Sequence, residues 1–156
     1  MLLSGAKMLK KRLGTEAIEN GRYLRNSFII PSSLIISEGC ECIEISAFEG
    51  CFRLKKVVIP KSVKWIGYYA FCGCTSLKEV VISEGVKRVM DWAFVRCDDL
   101  REVVISGSVK EINNWAFGGC TSAEITIENT EKSIVVGRCV FDGCRKVRYA
   151  EEETRN

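Results

Sequence analysis

The feature that most restricts this chain is a recurring dipeptide. Ala-Phe stands at Ala47-Phe48, Ala70-Phe71, Ala93-Phe94 and Ala116-Phe117, with Val140-Phe141 as a fifth, altered copy, and the steps between copies are 23, 23, 23 and 24 residues. A cysteine follows every Phe by three positions: Cys51, Cys74, Cys97, Cys120 and Cys144. Glycine precedes that cysteine at Gly50, Gly73, Gly119 and Gly143, and Arg96 is the exception. Cysteines held in one phase this way define a repeat array. A unit so short cannot bury its own apolar face, so the copies must stack and share one continuous core. The expected fold is therefore a repeat solenoid of 23-residue units, mostly β with short helical or irregular segments.

The rest of the unit keeps the same register. Leu54-Lys55-Lys56-Val57-Val58-Ile59 matches Leu77-Lys78-Glu79-Val80-Val81-Ile82 and Leu100-Arg101-Glu102-Val103-Val104-Ile105, while the next copy, Ala123-Glu124-Ile125-Thr126-Ile127, is one residue short. Val63/Ile66, Val86/Val89 and Val109/Ile112 follow in phase, and residues 34–46 fit the second half of an earlier unit with Ile36, Cys40 and Ile43 at core phases. Each unit reads as a short strand, a turn, a second extended piece and a tight bend around Ala-Phe. By the strand period of two, Val57 and Ile59 point one way and Val58 the other. Pro60-Lys61-Ser62, Ser83-Glu84-Gly85 and Ser106-Gly107-Ser108 differ from one another, but all suit a chain reversal.

On these residues the chain resembles the BspA-like leucine-rich repeat family, whose pattern is roughly Leu-x-x-Ile-x-Ile-Pro, a spacer, then Val-x-x-Ile-Gly-x-x-Ala-Phe-x-x-Cys. The stretch from Leu54 to Cys74 matches nearly throughout, including Pro60, Ile66-Gly67 and Ala70-Phe71. The resemblance implies a leucine-rich repeat solenoid and, for secreted members, adhesion to host proteins at a cell surface. The expected layout is a basic helical N-terminal cap over residues 1–30, a solenoid of four to five units over 31–149, and a polar tail over 150–156. Leu2, Ala6, Leu9, Leu13 and Ala17 recur at three- and four-residue steps, which suits one face of a helix. Residues 1–30 carry six Lys/Arg against Glu16 and Glu19. That cap also fits a membrane-surface helix through residues 1–25 or an organelle-targeting presequence.

Composition removes several chemistries. The 156 residues contain no histidine, which excludes Ser-His-Asp and Cys-His mechanisms and His-containing zinc sites. No eighteen-residue apolar run provides a membrane-spanning helix. Nine cysteines are an odd number, so they cannot all pair internally. Met1 to Gly14 has no apolar core of signal-peptide length, so an unsecreted, cytoplasmic chain with reduced thiols is expected from the residues, and a surface location from the resemblance. The phased cysteines read as small buried hydrophobes. Cys40/Cys42 and Cys72/Cys74 are Cys-x-Cys pairs without zinc-site spacing, so no metal and no cofactor are expected. Cys42, Cys72 and Cys139 are the expected surface thiols.

The same phasing that stacks the core must also stack the surface. Val58, Val81 and Val104 form an outward β-branched stripe continued by Thr126. Lys55, Lys78 and Arg101 form a basic row beside it, and Lys64, Lys87 and Lys110 a second basic row across the turn. Tyr69, Trp92 and Trp115, each just before Ala-Phe, are expected to stack as an aromatic row, with Ser46 and Cys139 in the same phase. Aromatic and basic rows together suit a protein partner. The repeat region is not net basic, so no nucleic-acid partner is expected. No acid dyad or Gly-rich phosphate loop recurs, so no catalytic residue is assigned and the chain is read as a non-enzyme. The expected function is protein binding through a laddered surface. A membrane-associated or adhesion-type protein, and a fragment of a larger array that stacks end to end into an oligomer, are the other readings that fit.

Overall fold

A computed structural model describes residues 18–19, 22–23, 32–36 and 38–151. Each repeat contributes one longer and one shorter strand. The longer strands are β3 (Ser33–Ile35), β5 (Lys56–Ile59), β7 (Glu79–Ile82), β9 (Glu102–Ile105), β11 (Glu124–Ile127) and β13 (Lys146–Tyr149), and they form one six-stranded sheet in chain order. The shorter ones are β4 (Cys42–Ile43), β6 (Trp65–Ile66), β8 (Arg88–Val89), β10 (Glu111–Ile112) and β12 (Val135–Val136), and they form a second, five-stranded sheet. Both sheets are parallel throughout, as a coil that always turns the same way requires. Their register reproduces the sequence phasing residue for residue: Val57 lies beside Val80, Val80 beside Val103, and Trp65 beside Arg88.

The third side of each rung is the Ala-Phe bend. It has no strand, yet it is laddered too. Phe71 N donates to Ala93 O at 2.7 Å and Phe94 N to Ala116 O at 2.7 Å. Between them, bonds spanning three residues, such as Cys74 N to Phe71 O at 3.2 Å, keep the bend tight. The bend needs two left-handed residues per rung. One is the position before the cysteine, where Gly73 has φ 68° and Gly119 φ 76°, and where Arg96 adopts φ 58° in place of glycine. This accounts for the Gly-Cys rhythm: only glycine takes that backbone without a Cβ penalty.

The core is a set of columns. Phe48, Phe71, Phe94 and Phe117 are stacked with centroids 4.9 to 5.0 Å apart and planes within 4° of parallel. Leu54, Leu77 and Leu100, Val57, Val80 and Val103, and Ile59 and Ile105 are fully buried beside them. Residues apolar on one phase therefore bury themselves against their own copies, which is the energetic basis of the stack.

Among the described residues the only helical segment is one 3-10 turn, Glu131–Ser133, so bends, not helices, close the rungs. The described part of the expected N-terminal helix is β1 (Ile18–Glu19) and β2 (Arg22–Tyr23), which pair antiparallel. The rest of residues 1–30 lies outside the described residues, as does the tail beyond Glu151. Among the described residues no helix is long and apolar enough to cross a membrane.

Candidate binding surfaces

The cysteine column is interior and chemically quiet. Cys51, Cys74, Cys97 and Cys120 are buried, and Cys144 at the last rung is half-buried. Sequence reasoning treated them as small hydrophobes, but each of the last four also donates. Cys74 Sγ reaches Phe48 O at 3.1 Å, Cys97 Sγ Phe71 O at 3.3 Å, Cys120 Sγ Phe94 O at 3.2 Å and Cys144 Sγ Phe117 O at 3.4 Å. The carbonyl that the bend leaves inside thus gains a weak S–H donor from the next rung. Burial pushes the Cys97 thiol well above its ordinary value and Cys144 up to about 12, and Cys74 is raised first by its contact with the Cys51 thiol and then by burial. Thiols held protonated in this way are poor nucleophiles and poor ligands.

Of the expected surface thiols, only Cys139 is exposed; Cys42 and Cys72 are half-buried. Burial, then nearby glutamates, raise Cys40 and Cys72; burial, then Cys40 and nearby glutamates, raise Cys42. Among the described residues no three His, Cys, Asp or Glu side chains converge to hold a metal ion.

The nine residues expected to contact a partner do not form one face. Val58, Val81 and Val104 project from the six-stranded sheet and are half-buried rather than open, because charged neighbours flank them on the same face. On that face Lys56 is ion-paired to Glu79, while Glu124 lies 3.6 Å from Arg145 and 3.7 Å from Arg148. Glu79, Glu102 and Glu124 are adjacent in register, an acidic line between two basic ends. Lys55, Lys78 and Arg101 are exposed one residue earlier, where the third side meets this sheet. Their row stops at Arg101 because the short fourth copy lacks that position. Ala123 is buried in the place of Leu100, and Glu124 N bonds directly to Arg101 O at 2.8 Å.

The aromatic residues stand at the opposite corner, where the five-stranded sheet runs into the bend. Tyr69, Trp92 and Trp115 have φ of 56°, 56° and 57°, with Ser46 and Cys139 alike at 55° and 51°. This is the second left-handed position of every rung, and nothing in an aromatic side chain signals it. Tyr69 and Trp92 stack as expected, 5.2 Å apart and 6° from parallel. Trp115 departs from the row and lies over Gly118. A Cβ at residue 118 would sit 2.7 Å from Trp115 Cε3, and the corresponding positions in the two rungs before it carry Cys72 and Val95. The one copy lacking a Cβ there lets its ring fold down.

The short strands add what the sequence reading passed over. Trp65 projects outward from β6 and is 38% exposed, Ile45 59% and Val135 66%, beside Tyr69 and Trp115 at 37% each. Among the described residues, five of the six large apolar side chains most open to solvent thus lie on the five-stranded sheet and its following corner; the sixth, Phe52, is elsewhere. The phase shared by Cys42, Trp65, Arg88 and Glu111 mixes residue types, which marks a surface position in the sequence.

A sequence model of the BspA type leucine rich repeat region matches residues 19–148 in six copies, and the chain belongs to that family. Solved structures agree. A T. pallidum leucine rich repeat protein is similar at 26% identity and TM-score 0.68, over 81% of this chain and 61% of that one. A leucine-rich repeat protein from Bacteroides ovatus shares the fold at 21% identity and TM-score 0.53, over 76% of this chain and 42% of that one. A leucine rich cell surface protein from Faecalibacterium prausnitzii matches at 25% identity and TM-score 0.51, over 85% of this chain and 35% of its own length. The chain thus spans roughly a third to three fifths of these relatives. A search of curated protein sequences found no match.

Proposed function

We propose that this chain is a non-catalytic protein-binding module whose contact surface is the five-stranded sheet with its following corner. The observation that carries this reading is the concentration of Ile45, Trp65, Tyr69, Trp115 and Val135 there, each at least 37% exposed, on a backbone laddered from rung to rung. Large apolar groups held rigidly at a surface lose little entropy on binding and match the make-up of interface hot spots. The basic row Lys64, Lys87 and Lys110 runs at the edge of the same sheet and supplies a charged rim. The valine stripe and the Lys55–Arg101 row belong to other sides and are secondary.

The test is capture of proteins from native extract by the full chain and by a Trp65→Ala/Tyr69→Ala/Trp115→Ala variant, with circular dichroism to verify folding. Loss of capture by a folded variant supports the surface. Unchanged capture removes it. Similarity to a cell surface protein of F. prausnitzii favours display outside the cell, which surface labelling of intact cells would read directly.

A further inference from the structure

Three lysines form one line along the axis of the solenoid. Lys64, Lys87 and Lys110 each stand one residue before a short strand, and all three are exposed. Their backbones are laddered: Lys87 N donates to Lys64 O at 2.7 Å and Lys110 N to Lys87 O at 2.9 Å. Neighbouring lysines are therefore about 4.8 Å apart at the backbone, and the row is about 10 Å long. Like charges on adjacent strands repel. Among the described residues none of the three is ion-paired.

The outward residues of the strands that follow place Arg88 in the middle of this patch and Trp65 beside it in register. The patch is bounded. Glu41 precedes Lys64 on the ladder, its carbonyl accepting Lys64 N at 2.7 Å, and Glu111 follows Lys110 and lies beside Arg88 in register. Of the other acids on this side, Asp91 is engaged with Asn114 N at 2.7 Å, and Glu84 holds the same place in its turn as Lys61 in the turn before. The positive charge is thus centred on Lys87 and Arg88, with an exposed indole next to it. The other basic row, Lys55, Lys78 and Arg101, has no such neighbour: it runs beside half-buried valines, where Lys56 is ion-paired to Glu79.

We infer that the partner of the five-stranded sheet presents a short acidic segment, two or three carboxylates next to an apolar side chain, with the carboxylates on Lys64, Lys87, Arg88 and Lys110 and the apolar group on Trp65. This rests on that sheet being the contact surface, as proposed above. The length fits, because three or four residues of extended chain span about 10 Å. Each ammonium ion rides on a flexible four-carbon stem, so the carboxylates need not match the rung spacing. A long polyanion gains affinity from many contacts along its length. Here it would run onto Glu41 at one end and Glu111 at the other, whereas a short acidic stretch stays between them. An apolar anchor inside a charged rim is the make-up of a protein interface.

The probe is a fluorescent eight-residue peptide with Glu-Asp-Glu next to a leucine, compared with its Gln-Asn-Gln counterpart by anisotropy on the full chain at low salt. The acidic peptide should bind saturably and at least about fivefold more tightly. Lys87→Glu/Arg88→Glu should weaken it about five- to tenfold, and Lys55→Glu/Lys78→Glu, the same change of charge at another corner, by less than about twofold. Trp65→Ala should weaken both peptides alike. Equal binding of the two peptides, equal loss in the two charge variants, or tighter binding of a sulfated oligosaccharide would each overturn the inference. Capture from native extract separates it from the reading beneath it. If the Trp65/Tyr69/Trp115 variant loses capture while Lys87→Glu/Arg88→Glu keeps it, the surface stands and the acidic partner falls. If the aromatic variant keeps capture, both fall.

Discussion

Phe94 and Phe141 occupy the same phase of the repeat, three residues before a cysteine, and the sequence treats them alike. In the structure they lead different lives. Phe94 is fully buried between Phe71 and Phe117, with both rings 5.0 Å away and nearly parallel. Phe141 has a ring on one side only, 6.1 Å away and tilted by 18°, and is half-open to solvent. A repeat residue is thus worth what its two neighbours make it worth. The difference teaches that packing is complete in the middle rungs and only partial at the last described one.

The largest expected effect comes from breaking that contrast. Phe94→Ala leaves a cavity in the centre of the column and should cost about 3–5 kcal/mol in urea unfolding. Phe141→Ala should cost only about 1–2 kcal/mol, because the side chain is half-buried already. Equal losses would mean that the last rung is as well packed as the middle ones.

The cysteine column gives the next test. Folding raises the Cys74, Cys97 and Cys144 thiols above their ordinary value, the last to about 12. Above about pH 8.5 the unfolded chain releases thiol protons that the folded chain keeps, so stability is retained below that pH and falls as pH rises. Each fully buried thiol of this kind contributes a loss of up to about 1.4 kcal/mol per pH unit, and the half-buried Cys144 contributes less because solvent screens it. Denaturant titrations at pH 7, 9 and 10 read the slope, and Cys97→Ala should lower it.

Smaller effects sharpen the comparison of the surface rows. Gly118→Ala has no left-handed backbone to strain, but its methyl occupies the place of the Trp115 ring. Trp115 should swing toward Trp92, strengthen the indole exciton band in circular dichroism and change stability by no more than about 1 kcal/mol. An unchanged band would show that Gly118 does not set the ring's position. Arg96→Gly relieves the one non-glycine at the pre-cysteine corner. It should stabilise the chain by about 0.5 kcal/mol, the backbone relief being partly offset by the freer unfolded state.

Much of the fold is legible because stacking converts phase in sequence into adjacency in space. Val57 beside Val80 beside Val103 follows from counting to 23. The candidate surface is less so. Counting shows that Tyr69, Trp92 and Trp115 share a row, yet not that the row sits at a left-handed corner, nor that Gly118 pulls its last member aside.

The solenoid, the length of its rung, the core columns and the histidine-free chemistry of its interior can be read from which residues recur and how far apart. How the surface rows are distributed around the rung, and how partially the side chains of the last described rung are buried, come from the folded chain. Those depend on where the backbone turns and on which residues have a neighbour on both sides, and spacing along a chain carries neither.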